Sequence, residues 1–301
     1  MSNCSKYNVG LMLDATIDEY INFFKNYAIY IHSIYFSLPL GRRFHTREHI
    51  ANQFENLDNI RKFWEILKVV EKYGIPLEMV LNTSDLTNKD IENAFELLKS
   101  RRVDIQYVNI LDKYYEVVEK VCPTAKKIYS YNNFLNDISD IPSTHNYEYV
   151  VVGGKNIRNF RLCDEIRKNS RIILLLNNGC NHYCGWCKAD IEHCKKMFEI
   201  VKTKLSVENM YAIQSIMPFE INEGLIPMED GDLFKINCRN ANFAYLNECI
   251  KSYVFNMNSE TMINKESLSY WSRLAWFYDY FEVMNFNSIM DYKASLYQER
   301  R

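Results

Sequence analysis

The stretch "NNGCNHYCGWCKADIEHC" (177–194) holds Cys180, Cys184, Cys187 and Cys194, with His182 and His193 among them. Thiolates are soft ligands, and a run this dense suits an iron–sulfur cluster or zinc. The spacing is C-x3-C-x2-C-x6-C. A tetrahedral zinc site usually draws on two C-x2-C-like pairs some distance apart, and here Cys184–Cys187 is the one such pair. The expectation is therefore an iron–sulfur cluster on Cys180, Cys184, Cys187 and Cys194. Zinc is the fallback, and a set of ordinary buried thiols is the bland alternative. Gly179 and Gly185 permit the tight turns that bring neighbouring thiolates to one centre.

Other residues suit substrate binding. "GRRFHTREH" (41–49) brings Arg42, Arg43 and His45 together, and guanidinium groups clamp anions through charge-assisted bonds. A solvated basic loop is the competing reading. Arg239 and Asn240 close the apolar run "LFKINCRN" (233–240), where a strand end would aim them at a site. Asn82, Glu220, Asn222 and Glu223 are weaker candidates. No G-x-S-x-G elbow and no H-E-x-x-H occurs, so no hydrolase triad or zinc-protease helix is expected.

The elements that must position these residues follow from hydrophobic periodicity. Apolar runs at 8–14, 31–39, 76–83, 104–111, 126–135, 147–154, 171–180, 209–219 and 233–240 read as strands. Between them lie amphipathic stretches at 17–28, 55–74, 84–102, 113–123, 158–169 and 242–256. Ile17, Tyr20, Ile21 and Phe24 share one face of the first. Ile60, Phe63, Trp64, Leu67 and Val70 line the second, with Gly74 as its stop. Thr87 is a plausible N-cap of the third. Alternation of strand and helix with continuously apolar strands predicts a parallel sheet covered on both faces. About eight such units predict a closed (β/α)8 TIM-like barrel rather than an open sheet, since no G-x-G-x-x-G loop is present. In such a barrel function sits at the C-terminal strand ends, and "IILLL" delivers the chain directly to the cysteine run. Residues 1–258 are expected to form the barrel. Residues 259–301 are expected to form a helical extension whose aromatic helix (Trp271, Trp276, Phe277, Tyr278, Tyr280, Phe281) packs on the barrel or docks a protein partner.

Composition sets the outer limits. The chain has 301 residues and a formal net charge of −2, which leaves no electrostatic footprint for nucleic acid. No apolar run approaches the ~20 residues of a membrane span, and no signal-peptide pattern opens the chain. A cytoplasmic protein is expected, in which an odd total of nine cysteines points to metal or catalysis over disulfides. Cys4, Cys122, Cys163 and Cys249 read as ordinary thiols.

Two family resemblances overlie the same residues. Cys180, Cys184 and Cys187, with Trp186 before the last, resemble the C-x3-C-x2-C motif by which radical S-adenosylmethionine enzymes hold a [4Fe–4S] cluster. In that family, however, the motif follows the first barrel strand. The second resemblance is to the collagenase-like peptidase family. Cys180, Gly185 and Cys187 give C-x4-G-x-C, and "LLLNNGCNHYC" is similar to that family's strand and turn. Phe234, Lys235, Ile236 and Arg239 match its Phe-Lys-Ile-x-Gly-Arg strand, with Cys238 where Gly is usual. The likeness covers most of 8–256 and is strongest over 171–254. It implies a TIM-like barrel and, for some members, a four-cysteine [4Fe–4S] cluster serving oxygen-independent hydroxylation of RNA bases or the ubiquinone ring. Cys194 lies nearer than that family's third cysteine, and Cys238 is its rival. The implied function is an iron–sulfur-dependent, oxygen-independent redox or hydroxylation-type modification of a small or peptide-borne substrate. A radical S-adenosylmethionine enzyme and a non-enzymatic metal-bound partner subunit are the alternatives.

Overall fold

The computed structural model describes residues 6–45, 48–130, 141, 145–153, 160–176, 216, 221, 224, 226–236 and 242–255. Eight strands among them follow one another in chain order around a closed barrel. They are β1 (Tyr7–Gly10), β2 (Ile31–Phe36), β3 (Leu77–Leu81), β4 (Tyr107–Ile110), β5 (Lys126–Tyr129), β6 (Tyr149–Val152), β7 (Arg171–Leu175) and β8 (Leu233–Ile236). Strands β1 to β6 pair in parallel. The Phe234 amide of β8 donates to the Lys6 carbonyl beside β1 at 2.8 Å. The helices between strands are α1 (Ile17–Tyr27), α2 (Glu48–Gln53), α3 (Leu57–Lys72), α4 (Asn88–Ser100), α5 (Tyr115–Val121) and α6 (Phe160–Arg167); α7 (Phe243–Phe255) follows β8. The expected (β/α)8 barrel is the observed fold.

Local chemistry sets the helix starts. Thr87 caps α4 by accepting from the Asp90 amide at 3.2 Å, while the Asp90 carboxylate accepts from the Thr87 amide at 2.9 Å. Thr16 and Glu19 repeat this reciprocal box on α1. Each box satisfies amides that the first helical turn leaves without partners. The buried faces lie slightly off the expected ones. On α1 they are Tyr20, Phe23, Phe24 and Tyr27, and on α3 Phe63, Ile66, Leu67 and Val70. Ile17, Ile21, Ile60 and Trp64 are half-buried, because the helices roll to set their aromatic rings against the barrel. The segment 41–49, expected as a loop, contains a 3-10 turn at Arg42–Phe44 and the start of α2.

The α4 end carries backbone strain. Arg102 has φ 57°, the one positive φ at a non-glycine among the described residues. The Val103 amide donates to the Leu98 carbonyl at 2.9 Å and the Arg102 amide to the Lys99 carbonyl at 3.0 Å, the helix-ending geometry that ordinarily selects glycine. Arg102→Gly should therefore stabilise the fold by about 1 kcal/mol, read from the urea midpoint. A loss of stability would mean that the arginine side chain contributes more than the strain costs.

Two compact units divide the chain. The first lies within 1–151, 162–173 and 231–235, and the second within 152–161, 174–230 and 236–301. In the first, Asp232 is buried and accepts from the Ile172 amide at 3.1 Å and from Arg167 Nη2 at 2.8 Å, which ties the residues before β8 to α6 and β7. In the second, the Tyr253 hydroxyl of α7 donates to the Ile216 carbonyl at 2.7 Å, and a Cβ at Gly153 would meet Leu175 Cδ1, so that side chain would have to move. The expected strand at 209–219, apart from Ile216, lies outside the described residues. So does the aromatic extension 259–301. No helix among the described residues is long and apolar enough to cross a membrane.

Candidate active site

Side chains on a barrel strand alternate between interior and helix layer. Five strands each contribute one polar group to a single buried cluster. Asn8 comes from β1, Ser33 from β2, Glu78 from β3, Asn109 from β4 and Lys235 from β8; all five are buried. They converge on the Glu78 carboxylate. Asn8 Nδ2 donates to Oε2 at 3.0 Å and Ser33 Oγ to Oε2 at 3.3 Å. Asn109 Nδ2 donates to Oε1 at 3.0 Å and Lys235 Nζ to Oε1 at 2.5 Å. Strands β3 and β8 are not neighbours in the barrel, so this ion pair crosses the interior. Lys235 Nζ also lies 4.1 Å from the centre of the Tyr35 ring, whose π face attracts the ammonium.

Burial by itself would push the Glu78 carboxyl up. The Lys235 ammonium, together with the hydrogen bonds from Lys235, Asn109 and Ser33, outweighs it and holds the group below the usual glutamate range. The site therefore carries a fixed carboxylate–ammonium dipole in a water-poor interior. Because each asparagine must turn its Nδ2 to the carboxylate, each Oδ1 points away from it. Among the described residues no donor reaches Asn8 Oδ1 or Asn109 Oδ1, and both atoms are buried. These are two acceptors available to a donor-bearing guest.

A second, aromatic set lies at the starts of the strands. His32 Nε2 is 3.0 Å from the Tyr107 hydroxyl, and the Tyr149 ring is 6.2 Å from the His32 ring. Burial lowers the His32 pKa, with Lys126 and Arg171 adding to the effect and Glu78 and Glu148 opposing it. Burial pushes Tyr107 up to about 12, with smaller contributions from Tyr149, Glu148 and Glu78. Both groups are thus neutral partners at neutral pH.

These shifts give the fold an acid limit. Below the ordinary histidine value of about 6.5 the unfolded chain takes up a proton that the folded His32 resists. Below the ordinary glutamate value of about 4.3 the unfolded chain takes up a second that Glu78 resists. Both make stability fall as pH falls. The urea midpoint should drop steadily from neutral to acid pH, and His32→Asn should flatten only the part just below pH ~6.5. A midpoint that rises on acidification would contradict both assignments.

The expected substrate residues are placed as follows. Arg42 Nε pairs with Glu55 at 2.9 Å and its Nη2 donates to Asn52 Oδ1 at 3.2 Å. Arg43 Nη2 pairs with Asp90 at 2.6 Å, and both arginine side chains are 61% exposed. A substrate anion would compete with these carboxylates. The His45 ring stacks on Phe54 at 5.0 Å. Asn82 is buried just beyond β3. Cys180, Cys184, Cys187, Cys194, Cys238, Arg239 and Asn240 lie outside the described residues, and so do His182, His193, Glu220, Asn222 and Glu223. Among the described residues no group of three or more His, Cys, Asp or Glu is arranged to hold a metal. The Glu78 cluster was missed in the sequence. Its signal is a charged or amide residue interrupting an apolar strand, as in "LEMVL", "YVNI" and "LFKI".

No known protein family matches the chain, and no curated protein matches it. Solved structures similar to it include the U32 peptidase Mk0906, with TM-score 0.37 and 8% identity over 59% of this chain and 70% of that one. A mutant tryptophan synthase α-subunit from Pyrococcus furiosus gives TM-score 0.41 and 11% identity over 85% and 99%. A type I 3-dehydroquinate dehydratase from Clostridium difficile gives TM-score 0.34 and 14% identity over 85% and 95%. The barrel assignment rests on this chain's own strand pairing.

Proposed function

We propose that this chain is an iron–sulfur-dependent enzyme performing an oxygen-independent redox or hydroxylation-type modification of a small or peptide-borne substrate. The observation that carries the reading is positional. Strand β7 ends at Leu175, and four cysteines follow within 180–194. The C-terminal ends of barrel strands are where TIM-barrel chemistry takes place. Four thiolates are the donor set that a [4Fe–4S] cluster requires, and Cys180, Cys184, Cys187 and Cys194 would hold it. When bound, the cluster supplies one-electron transfer.

The chain's other residues bind and orient. Glu78 stays ionised and Lys235 stays beside it, so the interior presents a preorganised dipole that needs no rearrangement when a substrate enters. Asn8 Oδ1 and Asn109 Oδ1 accept from N–H or O–H groups. The neutral His32 and Tyr107 close the far end of the interior without adding charge. Arg239 and Asn240, which follow β8, and the Arg42, Arg43 and His45 segment, which follows β2, are the proposed contacts for a substrate's polar end.

Anaerobic purification tests this, with iron, sulfide and zinc analysis and an EPR spectrum recorded with and without S-adenosylmethionine. About four iron and four sulfide per chain, with a spectrum indifferent to S-adenosylmethionine, is the expected result. A spectrum changed by S-adenosylmethionine would move the chain to the radical class, with Cys180, Cys184 and Cys187 as ligands. Zinc alone would make the site structural or hydrolytic. A metal-free protein would overturn the proposal.

A further inference from the structure

A cleft of about 400 Å³ opens between α3 and the two loops that enter β3 and β4. It therefore lies at the N-terminal ends of those strands. Its volume is in the range of small-molecule sites. Leu67, Ile75 and Leu77 form a buried apolar floor, and Trp64 and Val103 form the walls. Arg101 and Lys68 stand on the rim, together with Glu71 and Asp104.

The two cations are not equivalent to surface charges already paired. The Arg101 guanidinium carbon lies 5.1 Å from the centre of the Trp64 ring. The π face of the ring attracts the cation and holds it at the rim of the cleft. Among the described residues no carboxylate pairs with Arg101 or Lys68. Asp104, by contrast, already accepts from Gln106 Nε2 at 2.8 Å, and Gln106 Oε1 accepts from the Leu77 amide at 2.8 Å.

We propose that this cleft is a binding site for a small molecule with an apolar body and a single anionic head. The body lies on Leu67, Ile75 and Leu77 against the Trp64 ring. The head takes the N–H donors of Arg101, with Lys68 in support. Glu71 and Asp104 on the same rim repel a second negative charge, which selects a monoanion, such as a carboxylate or sulfonate, over a phosphate-rich ligand.

The test uses 1-anilinonaphthalene-8-sulfonate, a ring body with one sulfonate, titrated into the full chain and followed by its fluorescence. Saturation of one site is expected. Arg101→Gln, at an exposed position, should weaken binding about tenfold, the value of one charge-assisted hydrogen bond. Val103→Trp, which fills the cleft, should remove the site. Far-UV circular dichroism and a cooperative urea transition matching those of the unaltered protein show that each variant is folded and that the probe reports a cleft rather than loosened core. If folded Arg101→Gln binds the probe as tightly as the unaltered protein, the proposal is overturned. The same holds if binding fails to saturate.

Discussion

Lys235→Met lowers the stability of the fold by about 3–5 kcal/mol, the cost of leaving one partner of a buried ion pair uncompensated. Glu78 is fully buried, and its charge is tolerated because Lys235 Nζ lies 2.5 Å from Oε1. Methionine keeps most of the lysine's volume, so the loss reports charge rather than packing. The double variant Glu78→Gln with Lys235→Met should regain much of the loss. A glutamine amide accepts from Asn8 and Ser33 and donates to Asn109 once that side chain turns over. Urea unfolding of the four proteins closes a double-mutant cycle, and a coupling of about 2 kcal/mol or more is expected. If the two single losses simply add, Glu78 and Lys235 do not act as a unit, and the buried ion pair is not what holds the barrel interior together.

Cys187→Ala should abolish metal loading, taking iron from about four per chain to below about one. Cys187 is common to both cluster readings, whereas Cys194 separates them. Cys194→Ala should be as damaging as Cys187→Ala if four protein thiolates hold the cluster. It should be harmless if three do and S-adenosylmethionine takes the remaining iron. Cys122→Ala serves as the control. Burial pushes that thiol up, despite the lowering by hydrogen bonds near Ala125 and Thr124, so it is a poor source of thiolate. Cys163 and Cys249 are buried on α6 and α7 and read as packing residues. Iron retained in Cys187→Ala with far-UV circular dichroism unchanged would remove the cysteine run from the site.

Local features of this protein could be read from its sequence because their causes span only a few residues. Thr87 begins α4 since its hydroxyl and the Asp90 carboxylate reach each other's amides three residues apart. Gly74 ends the segment after α3 with φ 64°, a conformation that glycine adopts without cost. Strands followed by amphipathic helices dictate a covered parallel sheet, and their number favoured closure. What lay beyond the sequence was convergence. Glu78 and Lys235 are separated by 157 positions, and the residues around them are ordinary strand residues. Only barrel closure brings β8 across from β3, so only the tertiary structure makes "LEMVL" and "LFKI" parts of one site. The same holds for Arg42 and Arg43. Their clustering was legible and suggested an anion clamp, but the carboxylates of Glu55 and Asp90 that meet them come from separate segments. Short-range hydrogen bonding and side-chain period are written in neighbouring residues. The pairing of buried charges depends on which distant strands the fold places face to face, because a charge enters the interior only where its partner is already waiting.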